Sequence, residues 1–147
     1  MSRSIRIASG PGASSGHDYD RVGHNFLFVV VREGSAAVNH IPVSAVVIAY
    51  NDEPNMRACL ESITWADEII VVDSHSTDAT ERISREFTDQ VYQHDFHGFG
   101  RLRNEALTHA THDWVFSLDT DERATPELRE EIRRVLAAGP EADAYFV

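Results

Sequence analysis

Lysine is absent from all 147 residues, so a Schiff base, a lysine general base and a lysine phosphate clamp are excluded, and the 13 fixed cations are all arginines. Cys59 is the single cysteine, which rules out an internal disulfide and a multi-cysteine zinc site. It sits among apolar positions at helical spacing and is expected to be a buried thiol rather than a nucleophile. No apolar stretch approaches the roughly 18 residues that a membrane-crossing helix requires. The one early apolar run, Phe26 to Val31, is too short and too late for a signal peptide, so a cytoplasmic protein is the default expectation. Positive charge is also scarce where it would matter. Residues 1–40 hold four Arg and three acids, whereas residues 41–147 hold nine Arg against 21 acids. A phosphate backbone needs a basic face, so this balance argues against a nucleic-acid partner. It suits a protein that recruits a divalent cation.

Residues 1–24 are rich in Ser and Gly and read as disordered or as a linker. A strand over Phe26 to Arg32 would have nothing to pair with, and residues 1–40 are expected to be an N-terminal extension. From Pro42 the pattern turns regular. Val43 to Ala49 is an apolar, β-branched run of the kind buried on both faces of a parallel sheet. Pro54 suits the first turn of a helix carrying Met56, Cys59, Leu60 and Ile63 on one stripe. A second strand, Glu68 to Val72, ends at Asp73. Asp78 with Glu81 predicts a capping box that opens a helix running to about Phe87. A short strand at Gln90 to Gln93 and a helix from Leu102 to Ala110 follow. A strand from Asp113 to Leu118 leads into Asp119-Thr120-Asp121-Glu122, and Thr125-Pro126 starts a helix with Leu128, Ile132, Val135 and Leu136 on its stripe. Gly139-Pro140 stops that helix, and Ala144 to Val147 begins another strand, so the domain is expected to continue past Val147.

Alternating strands and helices predict an α/β fold with a mostly parallel sheet and helices on both faces. Parallel strands place all their carboxyl ends on one edge, where ligands of open α/β sheets bind. Asn51-Asp52, Asp73 and Asp119-x-Asp121 each follow a strand and are therefore expected to share that edge. Two carboxylates spaced Asp-x-Asp suit Mg²⁺ or Mn²⁺ held against a phosphate. The spacing alone is weak, because about one such match is expected by chance and Asp18-x-Asp20 supplies another.

Three segments, Val43–Glu53, Ile69–Thr80 and Trp114–Glu122, resemble the family 2 glycosyltransferases. The most specific stretches are Ile69-Ile70-Val71-Val72-Asp73-Ser74-x-Ser76-Thr77-Asp78-x-Thr80 and Trp114-Val115-x-Ser117-Leu118-Asp119-x-Asp121-Glu122. Trp65-Ala66-Asp67-Glu68, Gly98-Phe99-Gly100 and Arg103-Asn104 are similar to the branch acting on lipopolysaccharide core. The resemblance implies a GT-A fold, Rossmann-like, with residues 41–147 as the nucleotide-sugar-binding part of the domain. It implies transfer of a sugar from a nucleotide-diphosphate donor, commonly UDP-linked, to a saccharide or lipid-linked acceptor, with peripheral contact at the inner membrane. Tyr50, Asn51 and Asp52 should border the nucleotide, Asp52 standing where the family more often shows Glu. Asp73 should take a hydrogen bond from the base. Arg103 and Asn104 open the helix beside the donor pocket, Arg103 standing where that branch usually shows Lys. Asp119 should face the ribose or the metal, and Asp121 should be the main metal ligand. The carboxylate base that such an inverting transferase needs is expected downstream of Val147.

Other readings compete. A haloacid-dehalogenase-like phosphatase would use Asp119 as nucleophile and Asp121 as acid/base, but that class needs a later Lys and carries its Asp-x-Asp on the first strand. A truncated, non-catalytic domain that binds a nucleotide sugar is the non-enzyme alternative. His94-x-x-His97 with Asp95, and His109 with His112, read as solvated loop histidines rather than zinc ligands. Gly98-x-Gly100-x-x-Arg103 imitates a dinucleotide fingerprint but lacks the third glycine and follows the wrong strand. Arg129, Arg133 and Arg134 read as the wet face of the last helix, with anionic lipid headgroups as the alternative contact.

Overall fold

Four strands and four helices alternate along the chain in a computed structural model that describes residues 40–139. The N-terminal extension apart from His40, and the strands expected at Phe26 to Arg32 and Ala144 to Val147, lie outside the described residues. The elements are β1 (Val43–Ala49), α1 (Glu53–Ser62), β2 (Glu68–Asp73), α2 (Thr80–Ser84), β3 (Val91–Gln93), α3 (Phe99–His109), β4 (Trp114–Asp119) and α4 (Pro126–Ala138). All three strand pairings are parallel, and the strand order is β3-β2-β1-β4.

Every residue of β1 is buried, as its unbroken apolar run requires of a central parallel strand. Alternate residues of the sheet feed two cores. Ala45, Val47, Phe116 and Leu118 pack with Met56, Cys59, Leu60 and Ile63 of the α1 stripe, with Ile83 of α2 and with Ile132 and Leu136 of α4. Val46, Ile48, Ile70, Val72 and Val115 face the other way, onto Leu102, Ala106 and Leu107 of α3 and the following Ala110. Helices therefore cover both faces, and among the described residues α3 is the helix on the second.

The helix ends depart from expectation at two places. Between Asp78 and Phe87 only Thr80–Ser84 is helical, and no capping box forms. Glu81 pairs instead with Arg85 one turn on, at 2.9 Å. One oxygen of Asp78 accepts from the Thr80 amide at 2.9 Å, while the other crosses to the Glu53 amide at the start of α1, at 3.0 Å. Glu53 returns the contact by accepting from the Ala79 amide at 3.1 Å. The two helices thus satisfy each other's orphan N–H groups, which local spacing does not reveal. The second departure is α3, which begins at Phe99, three residues early, because Gly98 at φ 102 turns the chain into it. Thr125 caps α4 as expected, accepting from the Leu128 amide at 3.2 Å.

The amino edge of the sheet, opposite the candidate site, is closed by a buried carboxylate. Glu68 accepts from Ser44 Oγ at 2.5 Å, Gln90 Nε2 at 3.0 Å, and the amide and hydroxyl of Thr111 at 2.9 and 3.1 Å. Ser44 Oγ in turn accepts from the His112 amide at 3.2 Å. One side chain therefore ties together the starts of β1 and β2 and the segments entering β3 and β4.

Candidate functional site

β2 and β3 lie on one side of β1 while β4 lies on the other, so the strand order reverses direction between β1 and β4. In open α/β sheets the crevice for ligands forms outside the carboxyl ends at such a reversal. Ile48 of β1 is in register with Asp119, and Ala49 is in register with Asp73. The three acidic strand ends therefore share one edge, with Asp52 and Asp119-Thr120-Asp121 flanking the reversal.

The loops after β1 and β2 are laced together. Asn51 takes a left-handed φ of 46°, which Asn tolerates better than most residues. Its amide donates to Ser76 Oγ at 2.8 Å, and its side-chain oxygen accepts from the Thr77 amide at 2.7 Å. The Asp52 amide donates to Thr80 Oγ1 at 2.9 Å. Asp73 is fully buried: its carboxylate accepts from the Ser76 amide at 3.0 Å, from Gln93 Nε2 at 2.9 Å and from the Ser76 hydroxyl. Tyr50, at the exit of β1, is 63% exposed and free to lie against a ligand.

Asp119 and Asp121 are not equivalent. Arg103 Nη2 pairs with Asp119 Oδ1 at 2.7 Å, so α3 reaches over the sheet to the end of β4. Asp121 is exposed, and no described residue bonds its carboxylate. The turn itself is held by its own neighbours. Glu122 accepts from the Asp119 amide at 3.0 Å, and the Glu122 amide returns to the Asp119 carbonyl at 3.0 Å. Arg123 donates to the Thr120 carbonyl at 2.8 Å and to the Asn55 carbonyl of α1 at 3.2 Å. The Thr120 hydroxyl donates to Asp52, whose other oxygen accepts from Asn55 Nδ2 at 2.9 Å. Sequence reasoning missed Thr120 and Arg123. Their roles depend on β4 lying beside β1, and no local pattern signals that.

Asn104 parts company with Arg103. It lines a cavity of about 500 Å³ beyond α3, with His94, Asp95, His97, Arg101 and Glu105. His97 is exposed, as expected of a loop histidine, but two others nearby are less solvated. His94 and His109 are half-buried with their Nε2 atoms 3.5 Å apart, and His109 stacks on Tyr92 at 3.6 Å between ring centroids. Burial, then the neighbouring His94, hold His109 below the ordinary imidazole range. Among the described residues no group of three His, Cys, Asp or Glu side chains is placed to hold a metal ion unaided.

Cys59 lies beneath the site, its thiol directed at the Asp119 carbonyl at 3.6 Å. Burial pushes this thiol up to about 12. Native protein at pH 8 is therefore expected to resist a thiol-specific chromogenic disulfide for hours and to react stoichiometrically once unfolded in guanidinium. Rapid labelling of native protein would show that Cys59 is accessible.

Residues 44–146 match the family model for glycosyl transferase family 2. The chain belongs to glycosyltransferase family 2. The lipopolysaccharide core biosynthesis glycosyltransferase LpsC of Rhizobium meliloti is 34% identical over 112 residues, a match covering 73% of this chain and 42% of LpsC. Thus the chain spans less than half the length of that relative. The structure of S. aureus TarS with UDP-GlcNAc superposes with a TM-score of 0.53 at 26% identity, covering 65% of this chain and 31% of TarS. The fold is also shared with glucosyl-3-phosphoglycerate synthase of Mycobacterium tuberculosis, crystallised with Mg²⁺ and UDP: TM-score 0.59, 24% identity, 76% of this chain and 46% of that one. The architecture is that of the GT-A glycosyltransferases. Among the described residues no helix is long and apolar enough to cross a membrane.

Proposed function

We propose that the family 2 domain binds a UDP-sugar at the β1/β4 reversal and transfers the sugar to a saccharide or lipid-linked acceptor of lipopolysaccharide or another cell-envelope polysaccharide. Residues 41–147 form its donor-binding part, and the protein works on the cytoplasmic side, at the membrane surface where a lipid-linked acceptor lies. The observation that carries this reading is the placement of Asp119-Thr120-Asp121 beside Asp52 where the order of the described strands reverses. TarS, crystallised with UDP-GlcNAc, supports the choice of donor, and LpsC supports the acceptor class.

The residues fit a divalent cation. Mg²⁺ and Mn²⁺ take hard oxygen ligands, and Mg²⁺ is usually held by one or two carboxylates with substrate phosphates and waters completing the shell. Asp121 offers an exposed carboxylate without a described partner, and Asp119 offers a second, shared with Arg103. The cation, when bound, supplies Lewis-acid stabilisation of the departing diphosphate. The chain's own residues do the rest. Tyr50 and Asn51 border the nucleotide, and Asp73, fully buried against Ser76 and Gln93, receives the base in exchange for the Gln93 amide. Arg103 adds positive charge beside Asp119, where a nucleoside diphosphate would lie.

Since no three-ligand cluster exists among the described residues, metal and nucleotide should bind cooperatively. Calorimetric titration of UDP into the 147-residue chain is expected to show at least roughly tenfold tighter binding with Mn²⁺ than with chelator. Equal affinity in both would remove the metal from the reading. Because the chain spans 42% of LpsC, a second reading has this chain hold the donor without turning it over. Radiolabelled transfer from UDP-sugars to core oligosaccharide separates the two: the transferase reading expects label in the acceptor, and tight UDP binding without transfer favours the second.

A further inference from the structure

We infer that Thr120, the middle residue of the Asp-x-Asp turn, is a positioning residue, and that Asp52 acts through it rather than on the nucleotide. This rests on the donor-site reading above. The Thr120 hydroxyl donates to one oxygen of Asp52, and Asn55 occupies the other at 2.9 Å. Asp52 precedes α1, and its backbone carbonyl accepts from the Asn55 and Met56 amides at 3.1 Å. Its amide is bonded to Thr80 Oγ1 at 2.9 Å, so this carboxylate is carried on a fixed backbone.

The turn carrying Asp121 is held largely from within, through Glu122 and Asp119. Within the turn, the Glu122 amide bonds the Asp119 carbonyl, and Arg123 fastens the Thr120 carbonyl to Asn55 from the exposed side. The Thr120–Asp52 contact is the one side-chain to side-chain link from the Asp-x-Asp residues to the start of α1 among the described bonds. Asp121 makes no described bond of its own, so its direction follows the backbone on which Thr120 sits. Partners that orient a metal ligand typically contribute 10–100-fold to metal affinity, approximately, though they never touch the ion.

Two measurements test the latch. Hydrogen exchange at the Glu122 amide reports turn order with no ligand present. Thr120→Val, nearly isosteric, is expected to speed it roughly tenfold while β1 amides exchange as in wild type. Unchanged Glu122 protection overturns the latch, whatever happens to UDP. Calorimetry of UDP in Mn²⁺ then reads its consequence. Thr120→Val is expected to weaken binding roughly tenfold, and Thr120→Ser, which keeps the hydroxyl, to stay within about twofold of wild type. Asp52→Ala is expected to weaken binding in the wild-type background but to add less than about twofold in Thr120→Val. If the Asp52→Ala and Thr120→Val losses multiply, Asp52 acts independently and the inference fails. Faster exchange without metal-linked UDP binding in wild type instead counts against the donor-site reading and leaves the latch as a turn-holding contact.

Discussion

Glu68→Ala is expected to destabilise the protein by roughly 3 kcal/mol, because the buried Ser44 hydroxyl and the partly buried bonds from Gln90 and Thr111 lose their shared acceptor at once. For a domain of this size that corresponds to a fall in Tm of about 10–20 °C. Burial alone would push the Glu68 carboxyl up. The hydrogen bonds from Ser44, the Thr111 amide, Gln90 and the Thr111 hydroxyl outweigh it and hold the group below the ordinary glutamate range. A carboxylate depressed on folding contributes stability above its unfolded pKa and loses it as pH falls through the folded value. The difference between wild type and Glu68→Ala in urea midpoints should therefore hold steady from pH 8 to about 5.5 and shrink below about pH 4, near the unfolded glutamate value. A difference unchanged down to pH 3 would mean that packing, not the ionised clasp, explains the loss. Glu68→Gln keeps the shape but turns one acceptor into a donor facing donors, so it should fall between the two.

Asp121→Ala carries the largest functional effect on the proposed reading. Truncating one member of a close charge pair commonly costs about 2–5 kcal/mol, or roughly 30-fold or more in affinity. The loss should appear only with Mn²⁺ present, leaving UDP affinity in chelator within about twofold of wild type, and Tm should be unchanged because Asp121 is exposed and makes no described bond. Asp119→Ala should behave differently. It breaks the partly buried 2.7 Å ion pair with Arg103, so Tm should fall along with affinity. If Asp121→Ala and wild type bind UDP alike in Mn²⁺, Asp121 is not the metal ligand.

Much of the fold is legible in the sequence, for identifiable reasons. β1 is buried at all seven positions because only a central parallel strand accommodates Val43 to Ala49. The α1 stripe of Met56, Cys59, Leu60 and Ile63 is fully buried because its spacing already described one helical face. Parallel strands leave no choice about which edge collects Asp52, Asp73 and Asp119. Legibility stopped wherever a group had two partners to choose between. Glu81 could cap α2 or pair with Arg85, and it pairs with Arg85. Asp78 could serve its own helix alone, yet it also closes α1. His94 and His109 are 15 residues apart and meet only because α3 folds back past β3.

By itself, then, the sequence determined the alternation of strands and helices, the buried faces and the single edge that gathers the carboxylates, since these follow from local periodicity and from the polarity of parallel strands. Only the tertiary structure decided that β4 pairs with β1 rather than continuing beyond β3. Strand order is set by how helices on two faces pack, which no window of residues encodes. That choice brings Thr120 to Asp52 and Arg103 to Asp119, and leaves Asp121 facing solvent with its carboxylate available.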